Sequence, residues 1–398
     1  MESPPIKNDF LMTIEFIDSA DHSVGDNSFP SEHHHRGNYQ EPKKSHRTAV
    51  SVEFELSKFP KTRFYGSKRK QLAWLFSHLQ ELRGTTVLDA FGGTGTVSLL
   101  FSHLGKKVTY NDVFRFQEIS AQALLGDLGE VSLHPDRMKI FLATVKPRDG
   151  FVTQVFDGLY FKPEENRWLD GVMEKISEKE SKVERAVLLY CLFQACLSKR
   201  PYNLFHRANL NIRYSEQPVS FGNRATWEKS FGEHMLSAYG ELIRGRTLIR
   251  NPITVLPCGS VDNLGSDFDI VYMDPPYFNS HRHTESYLTR YHFLEGLARF
   301  EEWPNLIDQE SKIKGFSDRI EPEEWHSKLE FESSLYSAIS NFSESTVVLS
   351  YVADAHPDEK QITEHFRSTF RQTEVFRQNY QRSLSTRART ELLFIGKQ

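Results

Sequence analysis

Asp274-Pro275-Pro276-Tyr277 is the stretch of this chain whose residue types and spacing could do chemistry. It follows the apolar run Ile270-Val271-Tyr272-Met273. The two prolines fix the backbone and offer no N–H, so the corner presents a carboxylate, a rigid carbonyl and a ring together. That set suits an amino group conjugated to a ring. The lone pair of such a nitrogen is delocalised, which makes it a poor nucleophile. Two acceptors at fixed angles draw its N–H bonds toward tetrahedral geometry and localise the lone pair. Tyr277 is placed to stack on the face of the base. A methyl carried on a sulfonium, in line with the nitrogen, completes a direct displacement governed by positioning and electrostatic preorganisation. A structural turn at a strand end is the bland alternative.

A second constellation lies upstream. Phe91-Gly92-Gly93-Thr94-Gly95-Thr96 sits between the strand-like Thr85–Ala90 and a short helical pattern through Val97, Leu99, Leu100, Phe101 and Leu104. It is neither a spaced GxGxxG fingerprint nor a P-loop. The next strand, from Lys106, ends at Asn111-Asp112. An acid there, about twenty residues on, is placed to bond ribose hydroxyls, and the pair points to a nucleoside ligand. Gly66 and Ser67 make a turn and cap that leave Lys68 near a helix N-terminus, where a carboxylate is favoured. A solvated basic helix start is the alternative. Asp262, just before the central strand, either lines the pocket or caps a turn.

These residues need a sheet to hold them. Ile270–Met273 suits a parallel strand buried on both faces, and the prolines end it at the C-terminal edge where open α/β sheets bind ligands. Residues 1–57, rich in Ser, Asn, His and charge, are expected to be a flexible extension. Residues 116 to about 255 are too long for one loop and carry helical stripes at Trp168, Val172, Met173 and Ile176 and across Val183–Leu197. Lys199 to Arg250 holds nine basic against four acidic residues, with interleaved aromatics. That suits phosphate contacts and base stacking through Arg207, Arg213 and Arg224, against the alternative of a solvated surface. Arg382, Arg387 and Arg389, at the tip of a closing hairpin, could touch the same backbone.

The formal net charge of −4 does not bear on this, because a local basic surface can hide in a mildly acidic total. No apolar run reaches the roughly 18 residues of a membrane span, and no secretory start is visible, so a cytoplasmic protein with no membrane partner is expected. The three cysteines form no CxxC pair, and no metal site is expected.

Taken in order, Arg63-Phe64-Tyr65-Gly66-Ser67-Lys68, Asp89-Ala90-Phe91-Gly92-Gly93-Thr94-Gly95, Asn111-Asp112 and Asp274-Pro275-Pro276-Tyr277 resemble the Dam-like, alpha-group DNA adenine methyltransferases. Tyr291-His292-Phe293-Leu294-Glu295 and Glu391-Leu392-Leu393-Phe394-Ile395 extend the resemblance, which covers about Phe59 to Gln398. It implies a Rossmann-like α/β methyltransferase sheet with helices on both faces, formed by residues 58–130 and 255–398. A mainly helical target-recognition lobe, 131–254, is inserted between them. It implies S-adenosyl-L-methionine as cofactor. Tyr65, Gly66 and Lys68 then lie by its methionine end, while Asp89, Phe91, Gly93, Thr94 and Gly95 line the pocket. Asp112 takes the ribose and Asp262 the adenine end. Double-stranded DNA is the expected partner, with a cognate restriction or defence-system protein beside it. Many relatives have Gly-Gly-Lys where this chain has Gly66-Ser67-Lys68, and no base-reading residue carries over. Two other readings stay open. One is a methyltransferase acting on RNA adenine, cytosine amino groups or a protein glutamine amide. The other is a non-catalytic DNA-binding subunit.

Overall fold

Short runs rich in β-branched and aromatic residues supply the strands. They are β1 (Thr86–Asp89), β2 (Lys107–Tyr110), β3 (Thr254–Val255), β4 (Ile270–Met273), β5 (Phe278–Asn279), β6 (Thr346–Val352), β7 (Ala355–His356), β8 (Gln372–Gln381) and β9 (Ala388–Lys397). The computed structural model describes residues 55–398 except 65, 216–223, 280–286, 319, 321, 326 and 382–387. Seven strands make one sheet in the order β3-β2-β1-β4-β6-β9-β8, and β5 pairs with β7 separately. β3, β2, β1, β4 and β6 run parallel, and β9 is antiparallel to both β6 and β8. The expected closing hairpin is therefore present. β3 begins at Thr254, one residue before the expected start of the second catalytic segment.

The chain order reverses at β1, which has β2 on one side and β4 on the other. The carboxyl ends of β1, β2 and β4 thus meet at a topological switch point, where such sheets bind ligands. β4 is buried at every position. Ile270 and Tyr272 join the hydrophobic core on one face, Val271 and Met273 the core on the other. This is why the run reads as continuously apolar rather than alternating.

The longer helices are α1 (Leu72–Leu79), α2 (Thr96–His103), α3 (Arg115–Leu124), α4 (Pro135–Thr144), α5 (Pro163–Ser177), α6 (Lys182–Lys199), α7 (Phe231–Arg246), α8 (Tyr287–Ala298), α9 (Lys328–Asn341) and α10 (Glu359–Thr369). Side chains of α1, α2, α3, α6 and α8 enter the first core, and those of α9 and α10 the second. Every residue of α6 from Ala186 to Lys199 is buried, so Cys191 and Cys196 are internal free thiols. Helices of 131–254 share the first core with the sheet, within one compact unit. Among the described residues, no helix is long and apolar enough to cross a membrane.

Candidate active site

The glycine turn after β1 is shaped by close approach. A Cβ on Gly92 would lie 2.1 Å from the Tyr110 ring, and Gly93 adopts φ +49°. The Tyr110 hydroxyl donates to the Gly93 carbonyl at 2.8 Å and locks the turn. The Gly93 N–H in turn donates to Asp112 Oδ2 at 2.9 Å, and the Phe114 N–H donates to Oδ1 at 3.0 Å. Gly95, at φ +68°, starts α2 and is pressed against Leu125. It supports the turn from behind and does not line the cleft.

That cleft is open and measures about 1030 Å³ with the solvent at its mouth included. Gly66, Lys68, Asp89, Phe91, Gly93, Thr94, Asp112, Asp274 and Pro276 all line it. The expected pocket residues from four separate chain segments thus converge. Four buried oxygens on its lining residues have no hydrogen-bond partner among the described residues: Asp89 Oδ1, Asn111 Oδ1, Gln117 Oε1 and the Tyr272 hydroxyl. Buried acceptors left unpaired are costly. Here they suit a ligand rich in N–H and O–H donors. Burial pushes the Asp89 carboxyl up to about 7; the Ser98 hydroxyl bonded at 2.6 Å opposes the rise, and the charges of Asp274 and Asp112 add to it. Burial likewise raises Asp112 to about 6 against its backbone N–H bonds.

β4 delivers Asp274 to the same cleft. Lys68 opens a 3₁₀ turn, Lys68–Gln71, and its side chain reaches inward rather than into solvent. Its ammonium lies 3.0 Å from Asp274 Oδ1 and 3.3 Å from Glu391 Oε2. Burial pulls the Lys68 ammonium down, but the two carboxylates outweigh it and hold the group firmly charged. Burial lifts Asp274 to about 6; Lys68 pulls it down and the Glu391 charge pushes it up. Pro275 is buried, and Tyr277 packs edge-on against Tyr351 with centroids 6.1 Å apart. The ring of Tyr287 lines the cleft beside Gly66.

Several expectations are corrected. Asp262 does not line the cleft. Its carboxylate accepts the indole N–H of Trp325 at 2.9 Å and the Ser260 hydroxyl at 2.6 Å, and Trp325 forms the wall instead. Arg213 is buried and forms a two-pronged pair with Glu165 at 2.6 and 2.7 Å, so it faces the core and not a nucleic acid. Lys199 joins that pair at 2.8 Å, Arg200 is buried against backbone carbonyls, and Arg246 donates to the carbonyls of Ala123 and Gly126. Much of the basic excess in that segment is therefore internal. Arg207 and Arg224 are exposed, as are Tyr202 and Tyr214. Tyr65, Arg382 and Arg387 lie outside the described residues, as does the side chain of Arg389. Glu391, Gln117, Asn111 and Trp325 are site residues that sequence reasoning did not assign. Glu391 carried one usable signal: an acid heading the otherwise apolar run Leu392–Ile395 of a buried strand.

Comparison with known proteins agrees with this geometry. Over 229 residues the chain is 27% identical to the type II methyltransferase M2.HphI of Haemophilus parahaemolyticus, covering 55% of this chain and 66% of that relative, just short of two thirds. A crystal structure of a candidate RNA methyltransferase from Pyrococcus horikoshii aligns over 88% of this chain and 98% of its own, at 12% identity and a TM-score of 0.32. That likeness is too slight to carry an argument. Residues 64–314, more than half of the chain, match the D12 class N6 adenine-specific DNA methyltransferases, and the chain belongs to that family.

Proposed function

We propose that this protein moves a methyl group from S-adenosyl-L-methionine to the N6 amino group of an adenine at a specific site in double-stranded DNA, with the base flipped into the cleft. One observation carries the reading: Asp274 ends a buried strand with Oδ1 held by Lys68, on the wall of a cleft that also presents unpaired buried acceptors. The cofactor supplies, when bound, a methyl on a sulfonium. Asp89, Asn111, Asp112 and Gln117 are the residues that would hold its ammonium and hydroxyl donors. Asp274 accepts an N–H of the adenine amine, and the Pro275 carbonyl is the second acceptor. After transfer, Asp274 is the base nearest the proton that the nitrogen must lose. Tyr287 is the ring on the cleft wall available to the flipped base, and Tyr277 stands next to the corner packed on Tyr351.

The helical segment 131–254 is the candidate recognition lobe, with exposed Tyr202, Arg207, Tyr214 and Arg224 as its DNA-facing side chains. The similarity to a type II methyltransferase supports a place beside a cognate restriction enzyme in the cytoplasm. Single-molecule sequencing of DNA from cells expressing the protein tests the reading, because it reports base, position and motif together. N6-methyladenine at one motif is expected. Methylcytosine alone, or no modification, would overturn it. Asp274→Ala is expected to abolish transfer while calorimetry still detects cofactor binding. Full activity of that variant would sink the proposed role of the carboxylate.

A further inference from the structure

Lys68 is one ammonium between two carboxylates, a half-buried Asp274 and a buried Glu391. Asp274 comes from the end of β4, Glu391 from β9, where it pairs across to Val352 of β6 and Gln378 of β8. Glu391 is 3% exposed and Lys68 7%. Burying a carboxylate is costly unless it is compensated. Lys68 and Asp274 alone would make a neutral pair. Glu391 brings a second carboxylate to the same ammonium.

Geometry supplies the reason. A lysine side chain is a flexible stem carrying three donors. Held by Asp274 alone, the ammonium could slide across both carboxylate oxygens. Glu391 anchors it from the β9 side, so it takes Asp274 Oδ1 and leaves the second oxygen without a hydrogen bond among the described residues. We propose that Glu391 is a positioning residue of the methyl-transfer site: it clamps Lys68 so that Asp274 keeps one oriented oxygen free for the substrate amine. This rests on the functional reading above for the identity of that amine.

The charged and titratable groups facing Asp274 are Lys68, Glu391, Asp89, Tyr272, Tyr277 and Tyr287. Within this set Lys68 and Glu391 act on Asp274 in opposite senses, and that opposition provides the test. Protein labelled with carbon-13 at the aspartate carboxyl is titrated by NMR, with the Asp274 signal identified by its loss in Asp274→Asn. Glu391→Gln keeps an oxygen for Lys68 but removes the repelling charge, so the Asp274 midpoint is expected to move to lower pH. Lys68→Met is expected to move it to higher pH. Alongside, Glu391→Gln is expected to lower kcat by on the order of tenfold, with KM for DNA unchanged, since a charge-assisted hydrogen bond is lost only indirectly. An Asp274 midpoint that stays put in both variants, or moves the same way in both, overturns the inference. So does a loss of kcat in Glu391→Gln that is uniform in pH with the midpoint unmoved, which is what a packing role alone would give. Opposite shifts in a protein whose wild type leaves DNA unmethylated would sink the functional reading and leave the clamp standing.

Discussion

Asp89 and Asp274 end adjacent parallel strands, and the charge of Asp274 acts on Asp89. Burial raises both, Asp89 to about 7 and Asp274 to about 6. For each, the ionised form is the one that accepts a donor, so the useful state is gained as pH rises through these values. Cofactor affinity is therefore expected to weaken as pH falls below about 7, and binding near neutrality should release protons from Asp89. Calorimetry in two buffers of different ionisation enthalpy measures that release; pH-independent binding would refute it. In kcat/KM, the acid limb is expected near 6, set by Asp274. At this scale the sequence was informative about Asp274, Asp89 and Asp112, because an acid at the end of an apolar strand is legible from residue type alone. It marked Glu391 only as an acid heading an apolar run and could not pair it with Lys68, because that contact spans 323 residues of chain.

The elements decide which side chains reach the cleft. A 3₁₀ turn, Val261–Asn263, turns Asp262 outward, where it holds the indole of Trp325. The Trp325 ring meets Phe91 edge-on with centroids 5.2 Å apart. Asp262 thus acts on the cleft through a neighbour. Asp262→Ala is expected to weaken cofactor binding roughly tenfold by releasing that wall, a cost on the scale of one lost hydrogen bond to a charged group. Fluorescence of Trp325, isolated by comparison with Trp325→Phe, reads the same event. Unchanged affinity and unchanged emission would count against it. The acid was visible in the sequence, but its direction was not. A turn of three residues fixes that direction, and its rotation depends on what packs on either side.

Across the whole molecule, the helical segment 131–254 is anchored by buried charge. Glu165 of α5, Lys199 of α6 and Arg213 form one cluster, with Arg213 also donating to the Trp227 carbonyl at 3.2 Å. Arg213→Ala leaves the half-buried Glu165 with Lys199 alone and is expected to cost about 2 kcal/mol of stability, the scale of lost hydrogen bonds to a charged group. Denaturation measures that loss, while DNA affinity per folded molecule should hold. A selective loss of DNA affinity with normal stability would return Arg213 to the surface role. The sequence by itself determined the sheet, the glycine turn and the acid corner, because these depend on local patterns: strands closed by Gly and Pro, and apolar runs covered on both faces. It also determined the family, through the order of those motifs. Only the tertiary structure decided which charges face inward. Between Lys199 and Arg250 a basic excess is the same string of letters whether a guanidinium meets a phosphate or a buried glutamate. The choice lies in partners such as Glu165, 48 residues away from Arg213 along the chain. Likewise, Lys68 became part of the Asp274 site because a turn near one end of the chain and a strand at the other close on the same strand end, a meeting set by packing and not by any local pattern.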